Sequence, residues 1–404
     1  MTAIPKLEPE NVEYTLDTAE LIVKTTRERR AGSVGEKQAQ HILLNELKRY
    51  CDETKQETFK THPGAGTIAE KLLCVLLVVC VFVFSYSVNH GNVIPASIVL
   101  FSSLIIFCVF CYKFIFDGKK LDFITPSKTS SNLLGIRYSR SETQSRVVLV
   151  SRSDSPQCLR AYKFGNRAQY ILSLASIIGN TCLFISALLF LFSGAPEGTP
   201  FFKALSGICF IFVPFYVVSV FHINSKRVAS GISTSIIPSA TILAVFKQFQ
   251  ENSFRFDRTE ICCLITGSDY SSRAGAYAFA DKYKRLYRDV PTIFIPIEEI
   301  TSSKKLSVFF RDGSGTTGSE YIANTIREAG TNLGLKIKPE SHLLGSGAFT
   351  PFSKNHFPAC SLGTSKEYTS KCFLANGEKL SDISKKSVAD VGSLIIETLN
   401  YFDG

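Results

Sequence analysis

The stretch Val147-Val-Leu-Val-Ser-Arg-Ser-Asp-Ser155 decides the fold of this chain. Its apolar half reads as a buried strand, and the polar half reads as the turn at the strand's C-terminal end. That turn presents Arg152 and Asp154. A guanidinium has five donors, no acceptor and a pKa above ~12, so position 152 cannot ligate a metal ion.

Outward from this strand, strand and helix signals alternate. Leu133 to Tyr138 and Arg146 to Val150 read as strands, Ser239 to Gln250 as helix, Glu260 to Thr266 as a buried strand and Ala274 to Tyr287 as helix. Thr292 to Ile297 and Leu306 to Phe310 follow as strands, Ser319 to Leu333 as helix, His356 to Leu362 as strand and Lys385 to Tyr401 as a closing helix. Upstream, helical periodicity over Asp17 to Tyr50 breaks at Arg30-Ala-Gly-Ser-Val-Gly and resumes from Glu36. Thr125 to Ser131 reads as a polar connector. Such alternation predicts an α/β domain with a mostly parallel central sheet between helices on both faces.

Four apolar runs interrupt this pattern: Leu72 to Val88, Val93 to Phe116, Tyr170 to Phe192 and Phe201 to Ile223. None contains Asp, Glu or Arg, and each approaches or exceeds the ~20 residues that cross a bilayer. Lys113 and Lys203 sit near ends from which they are expected to snorkel. Short polar turns pair the runs into two hairpins. The domain boundaries follow as 1–70, 117–167 and 224–404 for the α/β part, with hairpins at 71–116 and 168–223. Charges are absent within the spans, which argues against an ion-coupled transporter. Asn180, mid-span, is expected to make a helix–helix hydrogen bond.

Lys71, Lys113, Lys119, Lys120, Arg160, Lys163, Arg167, Lys226 and Arg227 flank the outer ends, against Lys203 alone near the hairpin turns. The positive-inside rule then predicts a multi-pass cell-membrane protein with its soluble domain on the cytoplasmic side. The chain carries a net charge of +10. These basic residues track membrane ends rather than a helix face, so a nucleic-acid partner is not expected. Of the 12 cysteines, Cys74, Cys80, Cys108, Cys111, Cys182 and Cys209 lie inside the apolar runs, and the rest show neither a disulfide framework nor a zinc spacing.

Five pieces of the soluble part, in order, resemble the di-zinc aminopeptidase family that includes glutaminyl cyclase, glutamate carboxypeptidase and the transferrin receptor. They are Arg30-Ala-Gly-Ser-Val-Gly, Asn132-Leu-Leu-Gly, Val147 to Ser155, Thr266-Gly-Ser-Asp-Tyr-Ser-Ser-Arg-Ala-Gly, and Gly347-Ala-Phe-Thr-Pro-Phe with Phe357-Pro-Ala-Cys. The resemblance implies a three-layer zinc-aminopeptidase-like domain, here with four transmembrane helices added. In the family two zinc ions about 3.5–4 Å apart clamp the scissile carbonyl and a bridging water. The resemblance places Arg152 at the first histidine ligand, Thr234 at the bridging aspartate and Asp269 at the general base. It places Tyr270 at the adjacent glutamate ligand, Glu298 at the strand-end ligand and Phe349 at the last histidine. Asp154, which orients a ligand, is kept. The set forms a vestigial pocket with no catalytic residue, no metal and no cofactor, in which Arg152 is expected to neutralise Asp154, Asp269 or Glu298.

Two other motifs carry less. Gly313-Ser-Gly-Thr-Thr-Gly lacks the Lys-Ser/Thr ending of a phosphate loop and reads as a strand-to-helix turn. The serines at 151, 153, 155, 230, 233 and 235 have no nucleophile elbow. The expectation is a membrane-embedded pseudoenzyme with a binding or scaffolding role, its partners being the lipid bilayer and a protein or peptide. The alternative is a membrane-bound metallo-aminopeptidase with displaced ligands.

Overall fold

A computed structural model describes residues 6–26, 28–116, 118, 122–159, 167–270, 272–342, 345–365 and 378–403. The chain divides into two compact units, one comprising Met1–Pro63, Pro126–Gln157 and Arg227–Gly404, the other Gly64–Thr125 and Cys158–Lys226.

The first unit is α/β. Helices α1 (Pro9–Thr25) and α2 (Val34–Tyr50) precede β1 (Glu53–Thr61), β2 (Lys128–Arg137) and β3 (Ser145–Arg152). Ser33 caps α2 by accepting from the amide of Glu36. After the second hairpin come α8 (Ile237–Glu251), β6 (Thr259–Thr266), α9 (Ala274–Leu286), β7 (Thr292–Pro296), β8 (Leu306–Asp312) and α10 (Glu320–Asn332). The chain closes with β9 (Lys338–His342), α11 (Thr350–Lys354), β10 (Ser361–Thr364) and α12 (Lys385–Asp403). The main sheet has the order β1-β2-β6-β3-β7, and a second sheet has the order β10-β8-β9. The centre of the main sheet, β6-β3-β7, is parallel, whereas β1 and β2 attach antiparallel at one edge.

Period-two alternation explains the core. In β3, Val147 and Leu149 face one layer with α1, α2, α8, α10 and α12, while Val148 and Val150 face the layer that holds α9 and α11. The adjacent Cys262 and Cys263 of β6 likewise point to opposite layers. Both faces are covered, so β6 is buried at all eight residues, as the apolar reading of 260–266 requires. Each such Val, Leu or Ile contributes about 1.5–3 kcal/mol by leaving water.

Two strands escape the hydropathy pattern. β1 (Glu-Thr-Lys-Gln-Glu-Thr-Phe-Lys-Thr) is an edge strand that shows charged residues to solvent, and β9 is similarly polar. The strand expected over His356 to Leu362 is confined to Ser361–Thr364. His356 adopts φ 66° and breaks the extended run, leaving one bridge at Ala359. The expected connector at 125–131 becomes strand from Lys128, because register with β1 satisfies its backbone.

The second unit holds α3 (Ala65–His90), α4 (Val93–Phe110, continued as a π-turn over Cys111–Ile115), α5 (Arg167–Phe192), α6 (Pro200–Ile211) and α7 (Val213–His222). The short strands β4 (Gln157–Leu159) and β5 (Ile223–Val228) pair with each other. The break between α6 and α7 falls at Phe212, two residues before Pro214, whose missing N–H and ring disrupt the preceding turn. Phe84, Phe190 and Tyr216 pack inside, while Ile94, Ile98, Phe101 and Phe192 point outward. Asn180 donates to the backbone carbonyl of Ser103 on α4 at 3.2 Å, the expected helix–helix bond. Lys113 does not snorkel: it is buried, pairing with Asp122 and donating to the carbonyl of Gly118.

Five helices among the described residues are long and apolar enough to cross a membrane. Four are the expected runs, with α6 and α7 counted together. The fifth, Ile232–Glu251, is almost wholly enclosed within the α/β unit and forms its central core helix.

Candidate functional site

The parallel strands β3, β6 and β7 end on one edge, where ligands bind in open α/β sheets. Arg152 is the last residue of β3, Asp269 and Tyr270 follow β6, and Glu298 follows β7. The sheet register makes this juxtaposition, since Arg152 pairs with Thr266 and the amide of Ile297 donates to Val150.

Arg152 is 8% exposed, with Nε 3.7 Å from Oδ2 of Asp269 and its guanidinium 5.0 Å from the ring centroid of Tyr270. Burial alone would lower its pKa. The combined field of Asp269, Tyr270, Glu298 and Asp154 overturns that and holds the guanidinium charged. Asp154 is fully buried, and its Oδ2 accepts from the backbone amide of Tyr270 at 2.9 Å. Burial, then the neighbouring Glu36 and Asp269, push its carboxyl well above the usual range, against the opposing Tyr270 amide and Arg152. Burial also raises the Tyr270 phenol, beside which the Thr234 hydroxyl lies.

Thr234 sits in the π-turn Ile232–Ile236 that leads into α8 after Gly231, whose φ of +60° suits glycine. Glu298 faces the second sheet. Its carboxylate accepts from Nε2 of His342 at 3.0 Å and from the amide of Ala348 at 3.1 Å. Phe349 is fully buried among Phe294, Phe309 and Phe352, with the ring of His342 stacked 6.4 Å away, and its own side chain offers no donor to a metal. The structure therefore gathers Arg152, Asp154, Thr234, Asp269 and Tyr270 around one strand edge. Glu298 is bonded to His342, and Phe349 belongs to the aromatic core.

Sequence reasoning missed three charged residues at this edge. Arg29 is buried and donates from Nε to Ser153 and from Nη2 to the carbonyl of Ser230, tying the strand end to the π-turn. Burial pulls it down to about 10 despite Asp154, Glu378 and Glu36 nearby. Glu36 is buried as well, accepting from the amides of Gly32 at 2.6 Å and Ser268 at 2.7 Å and from the hydroxyl of Ser130. Its pKa is raised by burial. Glu378 accepts from the amides of Ile232 at 2.9 Å and Ser233 at 2.8 Å, placing a carboxylate on the N-terminal end of the core helix. A capping box flanking an acid would have marked Glu36; nothing local marks Glu378.

The glycine loop at 313–318 is closed on itself. Asp312 Oδ1 accepts from the amides of Ser314 and Thr316 and from the Ser314 hydroxyl, so the N–H groups a phosphate would need are occupied.

The fold is di-zinc aminopeptidase-like. Similar solved structures include the glutaminyl cyclase of Fimbriiglobus ruber, at 9% identity and TM-score 0.55 over 98% of this chain and 96% of that one. The aminopeptidase from Aneurinibacillus sp. strain AM-1 has 11% identity and TM-score 0.57 over 98% and 93%. BSAP, a zinc aminopeptidase from Bacillus subtilis, has 11% identity and TM-score 0.54 over 97% and 94%. No protein-family model matches the chain, and no curated protein matches it.

The zinc aminopeptidase among them raises the question of whether these residues fit a metal pair. The donor set does not. A buried guanidinium stands beside Asp269, the phenylalanine at 349 offers nothing, and among the described residues no three His, Cys, Asp or Glu side chains are arranged to hold a metal ion.

Proposed function

We propose that this chain is a catalytically inactive, zinc-peptidase-like module anchored by four transmembrane helices, with a binding or scaffolding role. The observation that supports it most is the burial of Arg152 against Asp269, the position that the resemblance assigns to the general base. A general base must accept the proton of an attacking water. A carboxylate held in the field of a fixed cation beside a second cation, Arg273 at 4.0 Å, is poorly suited to that task. In this reading Arg152 supplies part of the positive charge that metal ions supply in the zinc enzymes, and the pocket persists as structure.

In this reading the α/β unit lies on the cytoplasmic side of the cell membrane, which the basic residues flanking the spans support, and its partner is a protein or peptide. The resemblance to degenerate relatives such as the transferrin receptor and nicastrin supports this role. The second reading, a metallo-aminopeptidase with displaced ligands, has one observation in its favour: the His342–Glu298 contact, an imidazole and a carboxylate in reach of each other. Metal analysis of the purified full chain, with turnover of aminoacyl-anilide substrates, separates the two. The proposal expects substoichiometric zinc and no chelator-sensitive turnover. Stoichiometric zinc with activity lost in chelator overturns it.

A further inference from the structure

The membrane unit contains a narrow cleft among α3, α4, α5 and α7, partly open to its surroundings. Its wall is mostly apolar, formed by side chains such as Leu77, Ile106 and Phe110, with Glu70, Ser176 and Asn180 as polar points. The chain enters α3 and α5 and leaves α4 and α7 at one end of this bundle, and the cleft lies toward that end, away from the two hairpin turns. It is therefore within reach of the lipid head-group level if these helices span a bilayer, a reading on which the inference rests.

Asn180 is the informative residue. It is 4% exposed, and its Nδ2 donates to the carbonyl of Ser103. That bond fixes the amide orientation, because a flipped amide would set two oxygens against each other. The Oδ1 is thus a buried acceptor of a residue that lines the cleft, and among the described residues it has no hydrogen-bond partner. A buried acceptor left unpaired in apolar surroundings is costly, and a donor that enters the cleft relieves that cost. The carboxylate of Glu70, near the start of α3, adds negative charge at the same cleft.

We propose that this cleft binds a single-chain amphiphile whose head group donates hydrogen bonds, a primary amine in preference to a hydroxyl. The enclosed part of the cleft is narrow, which favours one chain over the two of a phospholipid. The head group donates to Asn180 Oδ1, Glu70 supplies the counter-charge for an ammonium, and the chain lies along the apolar wall. An anionic head is rejected because it brings an acceptor to two acceptors.

The chain contains no tryptophan, so a single introduced indole reports the cleft without background. Phe110→Trp in the cleft is compared with Phe101→Trp, at a position 63% exposed on the same helix. Both full-length variants go into phosphatidylcholine nanodiscs and are titrated with brominated dodecyl amine, alcohol and acid. The amine is expected to quench Phe110→Trp saturably and Phe101→Trp only in proportion to the amphiphile in the bilayer. Apparent affinity should fall from amine to alcohol to acid, with at least about tenfold between the extremes. Added to Phe110→Trp, Asn180→Leu should weaken amine binding by about fivefold or more. Glu70→Gln should narrow the gap between amine and alcohol, and it stands as the test should Asn180→Leu fail to fold. Quenching of the Phe110→Trp variant that is unsaturable, or indifferent to head group, or unchanged by both substitutions means a groove filled by bulk lipid and overturns the proposal. Absence of quenching in the Phe101→Trp variant would instead refute the spanning of the helices.

Discussion

Nε of Arg152 lies 3.7 Å from Oδ2 of Asp269, and both side chains are at least about nine-tenths buried. A pair this far from solvent is held by the strands that carry it. The separation exceeds that of a hydrogen-bonded ion pair, so the attraction is chiefly through space, and Asp269 Oδ1 has no hydrogen-bond partner among the described residues. The cation compensates several acids at once, and its removal leaves them exposed to one another.

Arg152→Leu is accordingly expected to destabilise the soluble unit by about 3–5 kcal/mol, the range for removing one partner of a buried pair. Arg152→Leu with Asp269→Asn should recover much of that loss. The measurement is thermal or denaturant unfolding of the purified chain, read as a double-mutant cycle. Additive losses would show that the pair is not coupled.

Much of this arrangement was legible in the sequence for a simple reason. Strands buried on both faces carry continuous apolar runs, and β3 and β6 were found from those runs alone. The order of motif pieces then located Arg152, Asp154 and Asp269 at one sheet edge. What stayed hidden depended on partners distant in sequence. Glu378 acts on amides about 145 positions earlier. Arg29 resembles any charged loop residue until Ser230 closes over it. β1 pairs through its backbone and shows no apolar face, so hydropathy could not find it.

The pH dependence follows from Asp154. Its native carboxyl is raised above the unfolded value of about 3.9, so between those two values the folded state binds the extra proton. Stability from this group is full below the unfolded value, declines as pH rises toward the native value, and is level above it. Asp154→Asn keeps an acceptor for the Tyr270 amide and removes the titration. The variant is expected to be more stable than the parent at pH 8 and to lose that advantage toward pH 4, in melting curves recorded across the range. A parent that gains stability relative to the variant as pH rises would contradict the assignment.

Glu378 tests how the pocket's second wall is held. Its two oxygens serve the amides of Ile232 and Ser233 and the hydroxyl of Ser230, ahead of the core helix that carries Thr234. Glu378→Ala should cost about 1–3 kcal/mol, because two buried amides lose their acceptor at a helix N-terminus. Glu378→Gln retains one oxygen and should cost less. Hydrogen exchange at residues 232–236 gives the local readout, with faster exchange expected in the alanine variant.

Gly275 sets how closely α9 approaches the turn that carries Asp269 and Tyr270. A Cβ there would stand 2.2 Å from the carbonyl oxygen of Gly267 and 2.6 Å from Oδ1 of Asn132. The same asparagine joins the two segments, donating to the carbonyl of Gly275 at 2.8 Å and accepting from the amide of Gly267 at 3.1 Å. A methyl group therefore meets backbone that is already bonded in place and cannot rotate away. Gly275→Ala should cost about 1–3 kcal/mol through overpacking, despite the better helix propensity of alanine. Gly207→Ala in α6, where nothing lies within 4 Å, should leave the melting temperature nearly unchanged. Because the displaced turn carries Asp269, Gly275→Ala should also reduce the coupling between Arg152 and Asp269. Repeating the double-mutant cycle in the Gly275→Ala background measures that reduction, and undiminished coupling would mean that α9 yields instead of the turn.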